Sequence, residues 1–138
     1  MKALFVDTSG WANLFDKDEP FHVEAKKFVD DARKKKALLV TTNYVVAELV
    51  SLLTSPFRVS RPQTIKYIES IKKSRSVEII HIDKVLDQRA WDLLSKRDDK
   101  NWSLVDCTTF VLMQDKDIAE ALTEDHHFEQ AGLIRLLK

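Results

Sequence analysis

Four acidic residues stand where a solvated acid is not expected. Asp7 ends the apolar run Ala3–Val6, and Glu48 interrupts the apolar stretch Val45–Leu53. Asp106 falls in the first turn expected of a largely apolar helix, and Asp125 follows the run Ile118–Leu122, within T-E-D-H-H-F. Three of the four have a local explanation. Asp7 can cap the next helix, Asp106 can complement a helix N-terminus, and Asp125 can close an Asx-turn. Glu48 has the weakest one, because Glu is almost never fully buried unless paired, and no cation lies three or four residues from it. One shared pocket accounts for all four more simply than four coincidences do. Carboxylates that converge repel one another, and a hard divalent cation with oxygen ligands, Mg²⁺ or Mn²⁺, relieves the repulsion.

The elements that must position these acids follow from the same sequence. Ala3–Val6 predicts a strand, and Thr8, Ser9 and the spacing of Trp11, Leu14 and Phe15 predict a helix directly after it. A helix from about Pro20 to Lys36 has Val23, Phe28, Val29 and Ala32 as its expected buried stripe. Ala37–Val40 predicts a second strand and Thr41 or Thr42 a cap for a buried helix to Thr54. Ser60 with Gln63 opens a further helix, Val77–Ile82 is an expected third buried strand, and Asp83 caps the helix after it. Ser103 caps a helix from Leu104 to about Lys116. Ile118–Leu122 and Leu133–Leu137 are the last expected strands, with a loop or single helical turn over Thr123–Gln130 between them. Strands alternating with helices imply a parallel sheet covered on both faces, an α/β fold whose strand order this pattern does not fix.

The 138 residues, 44% of them apolar, suit one domain that buries roughly 70% of its unfolded surface. Asp7 interrupts the first apolar run too early for a signal peptide, and Glu48 argues against a membrane span in the most apolar window, so a cytoplasmic protein is expected. The single cysteine, Cys107, fits a reducing compartment and reads as a small core residue. Lys plus Arg and Asp plus Glu balance at 22 each, so any nucleic-acid contact must be local. Arg58 and Arg61, in a loop with two prolines, are the candidates for holding an RNA backbone, whereas Arg33–Lys36 reads as a solvated helix end. His126 and His127 could assist a leaving group but read rather as polar loop residues, since the two-His-plus-acid spacing of a zinc site is absent, and Glu124 reads as a solvent-facing extra acid.

Taken together, D-T-S at Asp7–Ser9, N-Y-V-V-A-E-L at Asn43–Leu49, S-L-V-D-C at Ser103–Cys107 and T-E-D-H-H-F at Thr123–Phe128 give a chain that resembles the PIN-domain ribonucleases, and among them the single-domain VapC-type toxins. The resemblance spans residues 1–138 as one nuclease domain and implies a three-layer α/β/α sandwich with a central parallel sheet. It implies a Mg²⁺-dependent endoribonuclease (Mn²⁺ being the alternative ion), usually a homodimer, inhibited by a cognate antitoxin protein. By it, Asp7 and Asp106 are direct metal ligands, and Glu48 and Asp125 complete the site directly or through water. Thr8 and Ser9 orient Asp7 or bind phosphate, and Phe128 packs the loop that carries Asp125. Two other readings stand beside this one. A catalytically silent PIN-like module would bind RNA or a partner only. A haloacid-dehalogenase-type phosphatase would need a second Asp where Ser9 stands.

Overall fold

The computed structural model describes residues 2–138. Five strands, β1 (Ala3–Val6), β2 (Leu38–Thr42), β3 (Val77–Ile80), β4 (Glu120–Leu122) and β5 (Ile134–Arg135), form one sheet. Its strands are all parallel, in the order β3-β2-β1-β4-β5. The helices among the described residues are α1 (Thr8–Phe15), α2 (His22–Lys34), α3 (Asn43–Thr54), α4 (Arg61–Lys73), α5 (Lys84–Lys96), α6 (Leu104–Asp115) and the short α7 (His127–Gln130). They flank the sheet, giving the expected α/β/α sandwich, with α1 packed on α2 and α3, and α5 on α6.

The strand order decides where a site can be. From β1 the chain builds outward through β2 to β3, then crosses back to place β4 on the other side of β1. The order therefore reverses between β1 and β4, and the crevice beyond their carboxyl ends is where ligands bind in open α/β sheets. Asp7 follows β1 directly, and Thr123 to Asp125 follow β4.

β1 is central and buried through Leu4, Phe5 and Val6, as continuous apolar strands of parallel sheets are. Local caps formed where expected: Thr42 accepts from the Val45 N–H, Ser60 from Gln63, Asp83 from Leu86, and Ser103 from Asp106. Three expectations differ. The stripe of α2 is Ala25, Val29 and Ala32, one helical face at spacings of four and three, while Val23 lies off it and is 73% exposed. β3 is a half-buried edge strand, ending at Ile80, because no strand lies beyond it. β2 runs on to Thr42, whose hydroxyl still caps α3 from the strand's last position.

Gly10 is fixed by a close approach. A Cβ there would lie 2.1 Å from the Leu122 carbonyl oxygen, so α1 can rest against the end of β4 only without a side chain. Gly10→Ala will destabilise the protein by roughly 1–3 kcal/mol, the usual range for overpacking, read as a lower urea midpoint at unchanged slope.

Candidate active site

The crevice is a cavity of about 450 Å³ lined by Asp7, Glu48, Asp106 and Asp125, so four acids brought from four separate elements do meet. Glu19 and Glu124 line it as well, and among the described residues no Lys or Arg does.

Each acid is held by specific donors. Asp7, 5% exposed, receives the Thr123 hydroxyl on Oδ2 at 3.0 Å. Thr123 has one proton to give, so its Oγ1 accepts from the Asp125 N–H at 3.1 Å and from the Ser9 hydroxyl at 3.1 Å. Ser9 in turn accepts from the Glu124 N–H at 3.0 Å. Ser9 thus reaches Asp7 through Thr123, and Thr123 is the residue that orients Asp7. It stood unremarked within T-E-D-H-H-F because its role depends on a neighbour 116 residues away. The Thr8 hydroxyl turns the other way and donates to Glu48 Oε1 at 2.5 Å, which supplies the partner that a half-buried Glu requires.

Asp106 and Asp125 keep their local roles while also facing the cavity. Asp106 closes a capping box, accepting from the Ser103 N–H at 3.1 Å. Asp125 accepts from the His127 N–H at 2.9 Å, an Asx-type turn. Phe128 is fully buried under this loop and packs edge-on against Phe110, as expected. Arg58 and Arg61 are exposed and do not line the cavity.

Two loop expectations are overturned. Glu124 turns inward and accepts from Asn13 Nδ2 at 3.0 Å, and the fully buried Asn13 also receives the Phe21 N–H, which secures the turn carrying Glu19. His127 is a lining residue too. Its Nδ1 lies 3.3 Å from Asp125 Oδ1 and 3.4 Å from Asp106 Oδ2. Neither placement has a periodic signal, since both depend on where a loop folds back.

Electrostatics follow from this concentration of like charge. Burial, then repulsion from Asp106 and Glu48, pushes the Asp7 carboxyl up to about 7 against the donors that favour its charged form. Burial also raises Glu48 and Asp106, with repulsion from Asp125 adding to each. Burial likewise pushes the Cys107 thiol up to about 11, so it is no nucleophile. An all-oxygen cluster of carboxylates that resist ionising together, facing an accessible cavity, fits a hard divalent cation.

The model of the PIN domain family matches residues 4–133. The chain belongs to the PIN family. This PIN protein is 31% identical over 133 residues to the 23S rRNA-specific endonuclease VapC20 of two Mycobacterium tuberculosis strains, covering 96% of this chain and 97% of the relative. Its fold superposes on the crystal structure of M. tuberculosis VapC20, described as a sarcin-ricin loop cleaving toxin, with a TM-score of 0.83 and 29% identity over 99% of this chain and all of that one. The crystal structure of PAE2754 from Pyrobaculum aerophilum shares the fold at a TM-score of 0.66 and 14% identity, over 98% of this chain and 84% of the other. The PIN chain is a VapC-type endoribonuclease, and the phosphatase reading falls with that membership.

Proposed function

We propose that this PIN-domain endoribonuclease cuts structured ribosomal RNA from its acidic cavity, as the toxin of a toxin–antitoxin pair. Asp7 and Asp106 are direct ligands of Mg²⁺ or Mn²⁺, and Glu48 and Asp125 complete the set directly or through water. The observation that carries this reading is the meeting of four acids from four elements in one cavity that no Lys or Arg lines among the described residues. The ribosomal substrate is supported by the relatives, which are named for 23S rRNA.

When bound, the ion supplies a polarised water for in-line attack and neutralises charge building on the phosphate. The chain's own residues prepare the place. Thr123 aligns Asp7, Thr8 aligns Glu48, and Ser103 fixes the first turn that presents Asp106. Holding these groups before substrate arrives removes reorganisation from the chemical step. The carboxylates also repel a bare phosphodiester until a cation is present, which adds to the metal dependence of cleavage.

The test is incubation of the pure protein with ribosomal, transfer and messenger RNA in Mg²⁺, in Mn²⁺ and in excess chelator. Cleavage of the ribosomal RNA, lost with chelator, is the expected result. Undiminished cleavage in chelator, or none with either ion, overturns the reading.

The rest of the proposal is a homodimer of one nuclease domain spanning 1–138, checked in the cytoplasm by a cognate antitoxin. The outer face of α3 supports self-association: Ala47 is exposed and Val46 and Val50 only half-buried, where an apolar helix was expected to be covered. Among the described residues, no helix is long and apolar enough to cross a membrane. Light scattering should give about twice the 16.0 kDa of the chain.

RNA contact is assigned to Arg58, which follows the lining residue Phe57 in the chain, and Arg61, which opens α4. Replacing both by Ala will weaken RNA binding and reduce the slope of log affinity against log salt by roughly 1.4, two single-strand phosphates' worth. Filter binding across a salt series measures it, and an unchanged slope removes both residues from the interface.

A further inference from the structure

We propose that Asp125, His126 and His127 form a nitrogen-containing site for a borderline transition ion of the Zn²⁺ class at the cavity mouth. One ligand atom from each of the three lies within 4.8 Å of the other two, the one such group of His, Cys, Asp and Glu among the described residues. His127 Nδ1 is 3.3 Å from Asp125 Oδ1, and His126 Nδ1 is 3.8 Å from the same oxygen. Neighbouring ligands on a tetrahedral ion with bonds of about 2.0–2.1 Å stand about 3.4 Å apart. The His127 pair already matches that spacing, and the His126 ring, 66% exposed, is free to close the small difference.

The second observation concerns His127 alone. Its Nδ1 is buried and makes no hydrogen bond, because the two carboxylate oxygens at 3.3 and 3.4 Å lie off the direction of a ring N–H. A buried polar atom without a partner is rare, and a missing ion is one of the few explanations. The carboxylate it faces is already set, because the His127 backbone N–H holds Asp125 Oδ1. Such outer hydrogen bonds are what orient a ligand before metal arrives. Imidazole donors favour Zn²⁺ and its neighbours, whereas the all-oxygen set around Asp7 favours Mg²⁺ or Mn²⁺, so the two places differ in ion preference. The site shares Asp125 with the proposed nuclease set, but its test reads binding. Its failure is therefore distinguishable from a failure of the nuclease reading.

The test uses Co²⁺ alone as the probe, followed by its visible absorption and by paramagnetically shifted histidine ring protons. The proteins are wild type, His127→Ala, the exposed and therefore fold-neutral His126→Ala, and Asp7→Asn. Wild type should bind Co²⁺ with shifted signals from two histidines. Each His variant should lose at least about tenfold in Co²⁺ affinity, the loss typical even of an outer-shell partner. Asp7→Asn should keep the two-histidine signature while losing Mg²⁺ affinity by calorimetry. Wild-type Co²⁺ binding in either His variant, or loss of the histidine signals in Asp7→Asn, overturns the proposal.

Discussion

Asp7→Asn will slow RNA cleavage by roughly a hundred- to a thousandfold while leaving the metal-free protein at least as stable as wild type. The rate follows from losing one charged ligand of an ion that supplies several kcal/mol of transition-state stabilisation, each 1.4 kcal/mol being tenfold. The stability follows from what surrounds the side chain. Asn keeps the shape of Asp and an oxygen for the Thr123 hydroxyl, and the bond from the Trp11 N–H goes to the Asp7 backbone carbonyl, which the substitution leaves alone. What disappears is a buried carboxyl that burial and the repulsion of Asp106 and Glu48 keep from ionising until about pH 7. Single-turnover cleavage and melting in chelator check both halves. Wild-type cleavage by the mutant would remove Asp7 from the catalytic set, since its side chain makes no capping bond to α1 either, and a lower melting temperature would make it a structural residue.

The metal-free protein will lose stability as pH rises from about 5 to 8, and Mg²⁺ will restore it. Asp7 is raised from 3.8 to about 7 in the fold, so between those values the folded state holds a proton that the unfolded chain has released. Stability falls with pH wherever the folded state binds more protons, and a shift of about three units corresponds to roughly 4 kcal/mol accumulated between about pH 4 and 7, about half of it above pH 5.5. Glu48 and Asp106 are raised as well and act in the same direction. Asp99, Asp115 and Glu129, lowered by exposed ion pairs, act oppositely, but below the range in question. A ligand binding only the folded state adds about 2.7 kcal/mol at a hundred times its dissociation constant, and here it binds best where the protons have left. Urea midpoints at pH 5.5 and 8, with chelator and with Mg²⁺, decide the matter. A flat or rising profile in chelator would mean that the acids do not share one low-dielectric place, and Asp7→Asn should flatten the wild-type slope.

The four acids were legible in the sequence because Glu48 breaks a pattern that physics otherwise enforces, and one shared pocket explains the other three together with it. A carboxylate inside an apolar helix, as at Glu48, needs a reason that its own helix does not contain. Caps were legible for a similar reason: Thr42, Asp83 and Ser103 act within three residues, so the chain states both partners. What the sequence withheld depends on distant partners. Glu19, Thr123, Glu124 and His127 face the cavity because Asn13 and Ser9 hold two loops that lie more than a hundred residues apart. The half-buried state of β3 depends on its edge position, which hydrophobic runs alone do not encode. Val23 is apolar yet exposed because it lies at the wrong angle on α2, off the face of Ala25, Val29 and Ala32.

Trp11 gives the molecule a built-in optical gauge. Its indole N–H is held by the Thr41 hydroxyl, which itself donates to the Val6 carbonyl, one residue before Asp7. The ring stacks toward Phe15, and Phe15 stacks on Tyr67 of α4, so a run of aromatic contacts leads from the end of β1 to the partly buried margin of the core. Trp91 is half-exposed, and collisional quenching suppresses its emission first, leaving the buried indoles to be read. Binding of an ion at the proposed site beside Asp7 should therefore change the intrinsic fluorescence of the untagged protein, without RNA and without turnover.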